Sequence, residues 1–156
     1  MGLFTTTVSY FAFTGLHLAC FALALTVCGL YGGDIHHANQ LDQYADSKWV
    51  YAVVVGALSA LTCVVYFVPP VLRHAGIVAV AWNFVLFILW IAVFGVFASM
   101  FIKENAEGDN DIKRMKRAVW VDLANALLWL IAALAAAGYW WKHRETRSQF
   151  TGRAHV

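Results

Sequence analysis

Four long apolar windows predict an all-α membrane protein, an antiparallel four-transmembrane-helix bundle in up-down-up-down order. Hydrophobic residues make up 62% of the chain and charged residues 13%, whereas an ordinary soluble domain is about half apolar and about a quarter charged. The charges are also segregated, crowding into the gaps between the apolar stretches. Finally, the gaps are short, which forces consecutive helices to lie side by side and reverse direction.

The windows cover residues 8–31, 49–68, 77–102 and 118–141. About 20 helical residues cross the hydrocarbon core, so each is long enough, the longer ones with some tilt. The β-branched run Val53-Val54-Val55 favours strand in water. In lipid it is expected to be helical, because a helix satisfies its backbone hydrogen bonds within the segment. A barrel would require short alternating segments. The first link, residues 32–48, is polar and mildly acidic. The second, residues 69–76, begins with Pro69-Pro70 and reads as a tight turn; the third, residues 103–117, carries nine charges. The division expected is a transmembrane domain over 1–142 and a short basic tail over 143–156. These links and tail are too short for a folded soluble domain, so activity is expected in the bundle, its loops or its lateral contacts.

The first window contains Ala22-Leu23-Ala24, yet no basic residue precedes it and the apolar run continues beyond. It therefore reads as a span and not as a signal peptide. The opening Met1-Gly2-Leu3-Phe4-Thr5-Thr6 fits the permissive myristoylation pattern. Cys20, Cys28 and Cys63 all lie in apolar windows. An odd count outside polar loops argues against a disulfide framework and for small core hydrophobes, with palmitoylation of Cys28 as the alternative. Orientation is nearly tied by the positive-inside rule. The side with the termini carries Arg73, Lys142, Arg144, Arg147 and Arg153; the other carries Lys48, Lys103, Lys113, Arg114, Lys116 and Arg117.

The fourth helix begins in charge. Asp109 or Asp111 is placed to cap it, where the helix dipole favours a negative group. Lys113, Arg114, Lys116 and Arg117 fall at headgroup depth, as do Lys142, Arg144 and Arg147 at the other end, and all are candidate lipid-headgroup contacts. Trp120 and the Tyr139-Trp140-Trp141 group mark the two interfaces. Asp122 stands five residues beyond Arg117, about 7 Å further along the helix. An intramembrane acid is a functional candidate by default; at this shallow depth it reads as a helix-packing polar group that shares a face with Asn125. Asn83 belongs to the opposite end of the third helix and is not expected to meet it. Ser99 and the residues around Tyr31 and Trp49 lie at its depth.

Several chemistries lack their residues. Haem requires paired axial histidines on facing helices, and His17 is alone inside a span. There is no C-x-x-C for thiol redox chemistry. His36-His37 offers at most a weak metal contact in an acidic link. The polar residues within the spans, Thr14, His17, Thr26, Ser59, Thr62, Asn83 and Asn125, are scattered and no span contains Pro, which gives little support to a transport path. No nucleophile–base pair can be assembled. No catalytic, cofactor or metal residues are therefore assigned. Close-packing spacings do occur, at Gly15/Ala19, Gly56/Ala60, Gly95/Ser99 and Ala133/Ala137. In the third helix Phe87, Trp90, Phe94, Phe97 and Phe101 recur at intervals of three and four, an aromatic stripe for internal packing or, alternatively, for a sterol or another subunit.

The stretches PP-x-L-R in the central turn, WNFVLFILWIAVFG in the third helix and GDNDIKRMKRAVWVDLANALLWL opening the fourth resemble fungal MARVEL-domain tetraspan proteins across nearly the whole chain. The first link lacks the cysteines of claudin-type loops, and no large Cys-rich second outer loop of the tetraspanin kind is present. The resemblance implies an M-shaped bundle with both termini cytosolic, in the plasma membrane or a secretory-pathway membrane. It implies a non-enzymatic role in membrane apposition, microdomain organisation and vesicle traffic, through membrane lipids, self-association or a membrane-protein partner. Some fungal members belong to the plasma-membrane furrows called eisosomes. A bound sterol or phospholipid fits that setting; nucleic acid does not. Two other readings remain open: a small accessory subunit of a larger membrane enzyme or transporter, and a channel or transporter.

Overall fold

The computed structural model describes residues 2–41, 46–105 and 107–151 of the chain, and the side chains of 11–41, 46–68, 76–105 and 107–142. It is all-helical over these residues, with α1 at Gly2–Gln40, α2 at Ser47–Tyr66, α3 at Pro69–Phe101 and α4 at Asn110–Thr151. Each contains a stretch long and apolar enough to cross a membrane: Phe11–Gln40, Ser47–Tyr66, Gly76–Phe101 and Asn110–Lys142.

The helix ends follow local chemistry. Asp46 is extended (φ −62°, ψ 132°) and its carboxylate accepts from the Lys48 backbone N–H at 3.2 Å, capping α2. Asp109 does the same for α4, accepting from the Asp111 N–H at 2.8 Å. Pro69 and Pro70 occupy the first helical positions of α3, where a missing N–H costs nothing.

Two segments expected to be links are helical. The GGDIHHANQ segment continues α1 to Gln40, steadied by a Gln40–His36 side-chain contact one turn apart and by an ion pair between Asp34 and Arg114. Residues 69–75 form the opening of α3 and are not a tight turn. The break falls at Gly76, whose φ of 44° and ψ of −124° interrupt the helix; a side chain there would be strained.

Helix contacts close a ring. Backbones approach between α1 and α2, α2 and α3, α3 and α4, and α4 and α1. The α1–α2 pairing joins Cys28 with Val53 and His17 with Tyr66. The α2–α3 pairing joins Tyr66 with Asn83, Ser59 with Trp90 and Trp49 with Phe101. The α1–α4 pairing joins Tyr31 with Asp122 and His17 with Trp129. The core residues recur at intervals of three and four, the spacing that keeps one helix face on its neighbours: Cys20, Ala24, Val27 and Tyr31 on α1; Leu86, Trp90, Val93 and Phe97 on α3; Met115, Val119, Ala126, Trp129 and Ala133 on α4. Asp122 occupies a position of that seam.

The tightest approach is at Gly56. A Cβ there would stand 2.7 Å from Cys28 Sγ and 3.2 Å from the Ala24 carbonyl oxygen, so the two backbones meet closely because glycine has no side chain. The outer surface is apolar. Leu18, Leu25, Val54, Leu61, Val78, Ile88, Leu127 and Leu134 are among the exposed large hydrophobic residues.

Candidate functional site

Six polar side chains within the spans turn inward in this fold, although Thr26 and Ser99 face outward. His17, Ser59, Thr62, Asn83, Asp122 and Asn125 are buried, although each lies in an apolar window. Four of them accept a hydrogen bond from an aromatic donor on a neighbouring helix. Tyr31 Oη donates to Asp122 Oδ2 at 2.7 Å, linking α1 to α4. Tyr66 Oη donates to Asn83 Oδ1 at 3.0 Å, and Trp90 Nε1 to Ser59 Oγ at 2.8 Å. Trp82 Nε1 donates to Thr62 Oγ1 at 3.0 Å, while that hydroxyl donates to the Leu58 carbonyl of its own helix. Tyrosine and tryptophan suit this arrangement, because each buries a large apolar body and carries one polar atom that needs a partner. Such interhelical bonds contribute on average about 0.6 kcal/mol each in a membrane setting, and up to about 1.7.

At one end of the bundle Tyr31 stacks on Phe97, with ring centroids 4.4 Å apart, and Trp49 meets Phe97 edge-on at 5.4 Å. These rings seal the Tyr31–Asp122 bond. One turn further along α1, Asp34 pairs with Arg114, which also lies 3.7 Å from Asp111. Two contacts, one buried and one at the rim, thus tie α1 to α4. At the other end His17 is the centre. Its Nδ1–H donates to the Phe13 carbonyl at 2.9 Å, and its ring meets Tyr66 and Trp129 edge-on at 5.1 and 5.8 Å.

The residues singled out from sequence are placed as follows. Asp122 and Asn125 are fully buried on one face of α4, and Asn125 Nδ2 donates to the Val121 carbonyl at 3.2 Å. Ser99 is exposed and donates to the Val96 carbonyl of its own helix at 2.7 Å. It does not join Asp122, because matching depth does not give it the inward face; Phe97 holds that face. Arg114 turns to Asp34, an acid brought within reach by the extra turns of α1. Lys113 and Arg117 are exposed and Lys116 is half-buried, whereas Lys142 is exposed at the far end. The side chains of Arg144 and Arg147 lie outside the described residues. The aromatic stripe packs inward: Trp90 and Phe97 are buried, and Phe87, Phe94 and Phe101 pack partly buried against the core.

Of the small-residue pairs, Gly56 and Ala60 are buried, while Gly15, Ala19, Gly95 and Ser99 are exposed on the outer surface. Among the described residues Cys20, Cys28 and Cys63 are free thiols, and no three His, Cys, Asp or Glu side chains gather to hold a metal ion. The Tyr66–Asn83 pair, which joins α2 to α3 across the Pro-containing segment, was missed from sequence. No family model, curated protein or solved structure matches the chain.

Proposed function

We propose that the protein crosses the bilayer four times as an antiparallel, up-down-up-down bundle of the MARVEL-like tetraspan kind, with both termini cytosolic. In this reading it is not an enzyme. It organises membrane microdomains, membrane apposition or traffic through lateral contacts with itself, with lipids or with a membrane-protein partner. The observation that carries the reading is the inside-out distribution of polarity: four of six buried polar side chains among the described residues are clasped between helices, and large apolar side chains cover the outside. The helix pairings support the alternating direction of the spans.

Two features support lateral contact in particular. Gly15/Ala19 on α1 and Gly95/Ser99 on α3 present small residues at four-residue spacing to the outside, the pattern that permits close approach of a further helix. An open apolar groove between α2 and α3, lined by Leu58, Leu61, Val65, Val78 and Trp82, suits a lipid acyl chain or sterol. Purification in a mild detergent, followed by native mass measurement with Gly15→Leu and Gly95→Leu variants, tests the reading. A homo-oligomer carrying lipid, weakened by either variant, is expected. A stoichiometric foreign subunit would instead assign the protein an accessory role, and a lipid-free monomer unaffected by both variants would overturn lateral organisation.

A further inference from the structure

The hydrogen-bond census around Asp122 leaves two oxygens over. Asp122 Oδ2 accepts from Tyr31, but Oδ1 is buried with no protein partner. Asn125 uses its Nδ2 on the Val121 carbonyl, and its Oδ1 is likewise buried with no partner. Both residues are 0% exposed and, three apart on one helix, their side chains are neighbours. Each of the two oxygens is an acceptor left without a donor inside the protein. A buried unpaired carboxylate is also among the most costly groups a protein can hold.

We propose that Asp122 is a proton-binding site. Its carboxyl stays neutral inside the bundle, accepting from Tyr31 at Oδ2 and donating its own proton from Oδ1 to Asn125 Oδ1. A single proton then satisfies both orphaned oxygens, and the chain Tyr31–Asp122–Asn125 locks α4 to α1. The surrounding groups leave this role to a proton. From α1 the ionisable neighbour is the Tyr31 hydroxyl, and Asp34 further along is engaged with Arg114. On α4 itself Arg114 is shared by Asp34 and Asp111. From α3 and α2 the neighbouring cluster is aromatic, Phe97 and Trp49 around Tyr31. Among the described residues no Lys, Arg or His side chain pairs with Asp122. When the proton leaves to water, Asp122 keeps a negative charge against the Asn125 carbonyl oxygen, and the lock is broken.

The test is infrared spectroscopy of the full chain in lipid nanodiscs, with an unfolding scan beside it. At neutral pH exposed carboxyls are ionised, so a carboxylic-acid C=O band is expected in the wild type. It should vanish in Asp122→Asn and shift in Asn125→Leu and Tyr31→Phe. Asp122→Asn mimics the neutral acid, accepting from Tyr31 and donating to Asn125, so its melting temperature should match the wild type at neutral pH. It should exceed the wild type at alkaline pH. Absence of a band that depends on Asp122 would overturn the proposal. So would a wild type stabilised by sodium ions together with a destabilised Asp122→Asn, which would mark an ionised site holding a metal cation. The amide bands recorded in the same spectra report the helices independently, so loss of the fold is distinguishable from loss of the proton.

Discussion

Replacing Gly56 by Ala adds one methyl group at the closest approach of α1 and α2. The new carbon would stand 2.7 Å from Cys28 Sγ and 3.2 Å from the Ala24 carbonyl oxygen. The sulfur can rotate aside; the carbonyl is backbone and can yield only if the helices separate. Overpacking of this kind costs about 1–3 kcal/mol. Alanine is the better helix former by about 1 kcal/mol, so the net loss is up to about 2 kcal/mol. Gly29→Ala and Gly138→Ala serve as controls, because a Cβ at either meets nothing within 4 Å. They keep the propensity gain and should be neutral or stabilising. Unfolding in detergent micelles, followed by tryptophan fluorescence, should separate Gly56→Ala from both controls by about 1–3 kcal/mol. Adding Cys28→Ala removes the closer clash and should recover part of the loss. If Gly56→Ala behaves like the controls, or if Cys28→Ala does not couple to it, the close approach is not the determinant of the α1–α2 pairing.

Three further outcomes are expected. Trp90→Phe and Ser59→Ala should each weaken the α2–α3 contact, and a double-mutant cycle in the same assay should give a coupling of about 0.6–1.7 kcal/mol; no coupling would show the indole–hydroxyl bond to be energetically idle. The Lys48 backbone N–H holds the Asp46 carboxyl below its ordinary value of 3.8, so the cap is complete above that value and is lost as the pH falls through the lowered one. Amide exchange at Lys48, corrected for intrinsic rate, should therefore speed up only on strong acidification, and Asp46→Ala should abolish that step. Replacing Lys142, Arg144 and Arg147 by Gln should weaken attraction to anionic vesicles, by about 1 kcal/mol for each residue near the surface. Unchanged lipid selectivity in a flotation assay would remove the tail from that role.

The existence and type of the helices were legible because four uncharged or nearly uncharged windows admit few other structures. Their ends were harder. The GGDIHHANQ segment looks like a link by composition, and what supports it as helix is the Asp34–Arg114 pair, whose partners are 80 residues apart in sequence. The depth of Asp122 and its neighbourhood with Tyr31 followed from simple helical rise. Its exclusion of Ser99 did not, since depth fixes height along a helix and not the direction a side chain faces. In windows apolar all round, hydrophobic periodicity carries little signal about the inward face, the aromatic stripe of α3 being the exception. The informative pattern was the inverse one: polar residues and aromatics at intervals of three and four, as in Ser59, Thr62 and Tyr66 on α2 and Asp122, Asn125 and Trp129 on α4. Asp122 and Asn125 were read as one packing face but Ser59 and Thr62 as scattered exceptions, and all four point into the bundle.

The helices differ greatly in length, 39 and 42 residues for α1 and α4 against 20 for α2. At 1.5 Å per residue α2 reaches about 30 Å, the thickness of an average hydrocarbon layer, with nothing in reserve. Longer neighbours can lean to suit a thinner sheet of lipid, but the shortest rod cannot stretch across a thicker one. In the proposed four-span arrangement α2 is therefore the gauge, and bilayers thicker than its reach are the ones such a bundle would have to pinch or avoid.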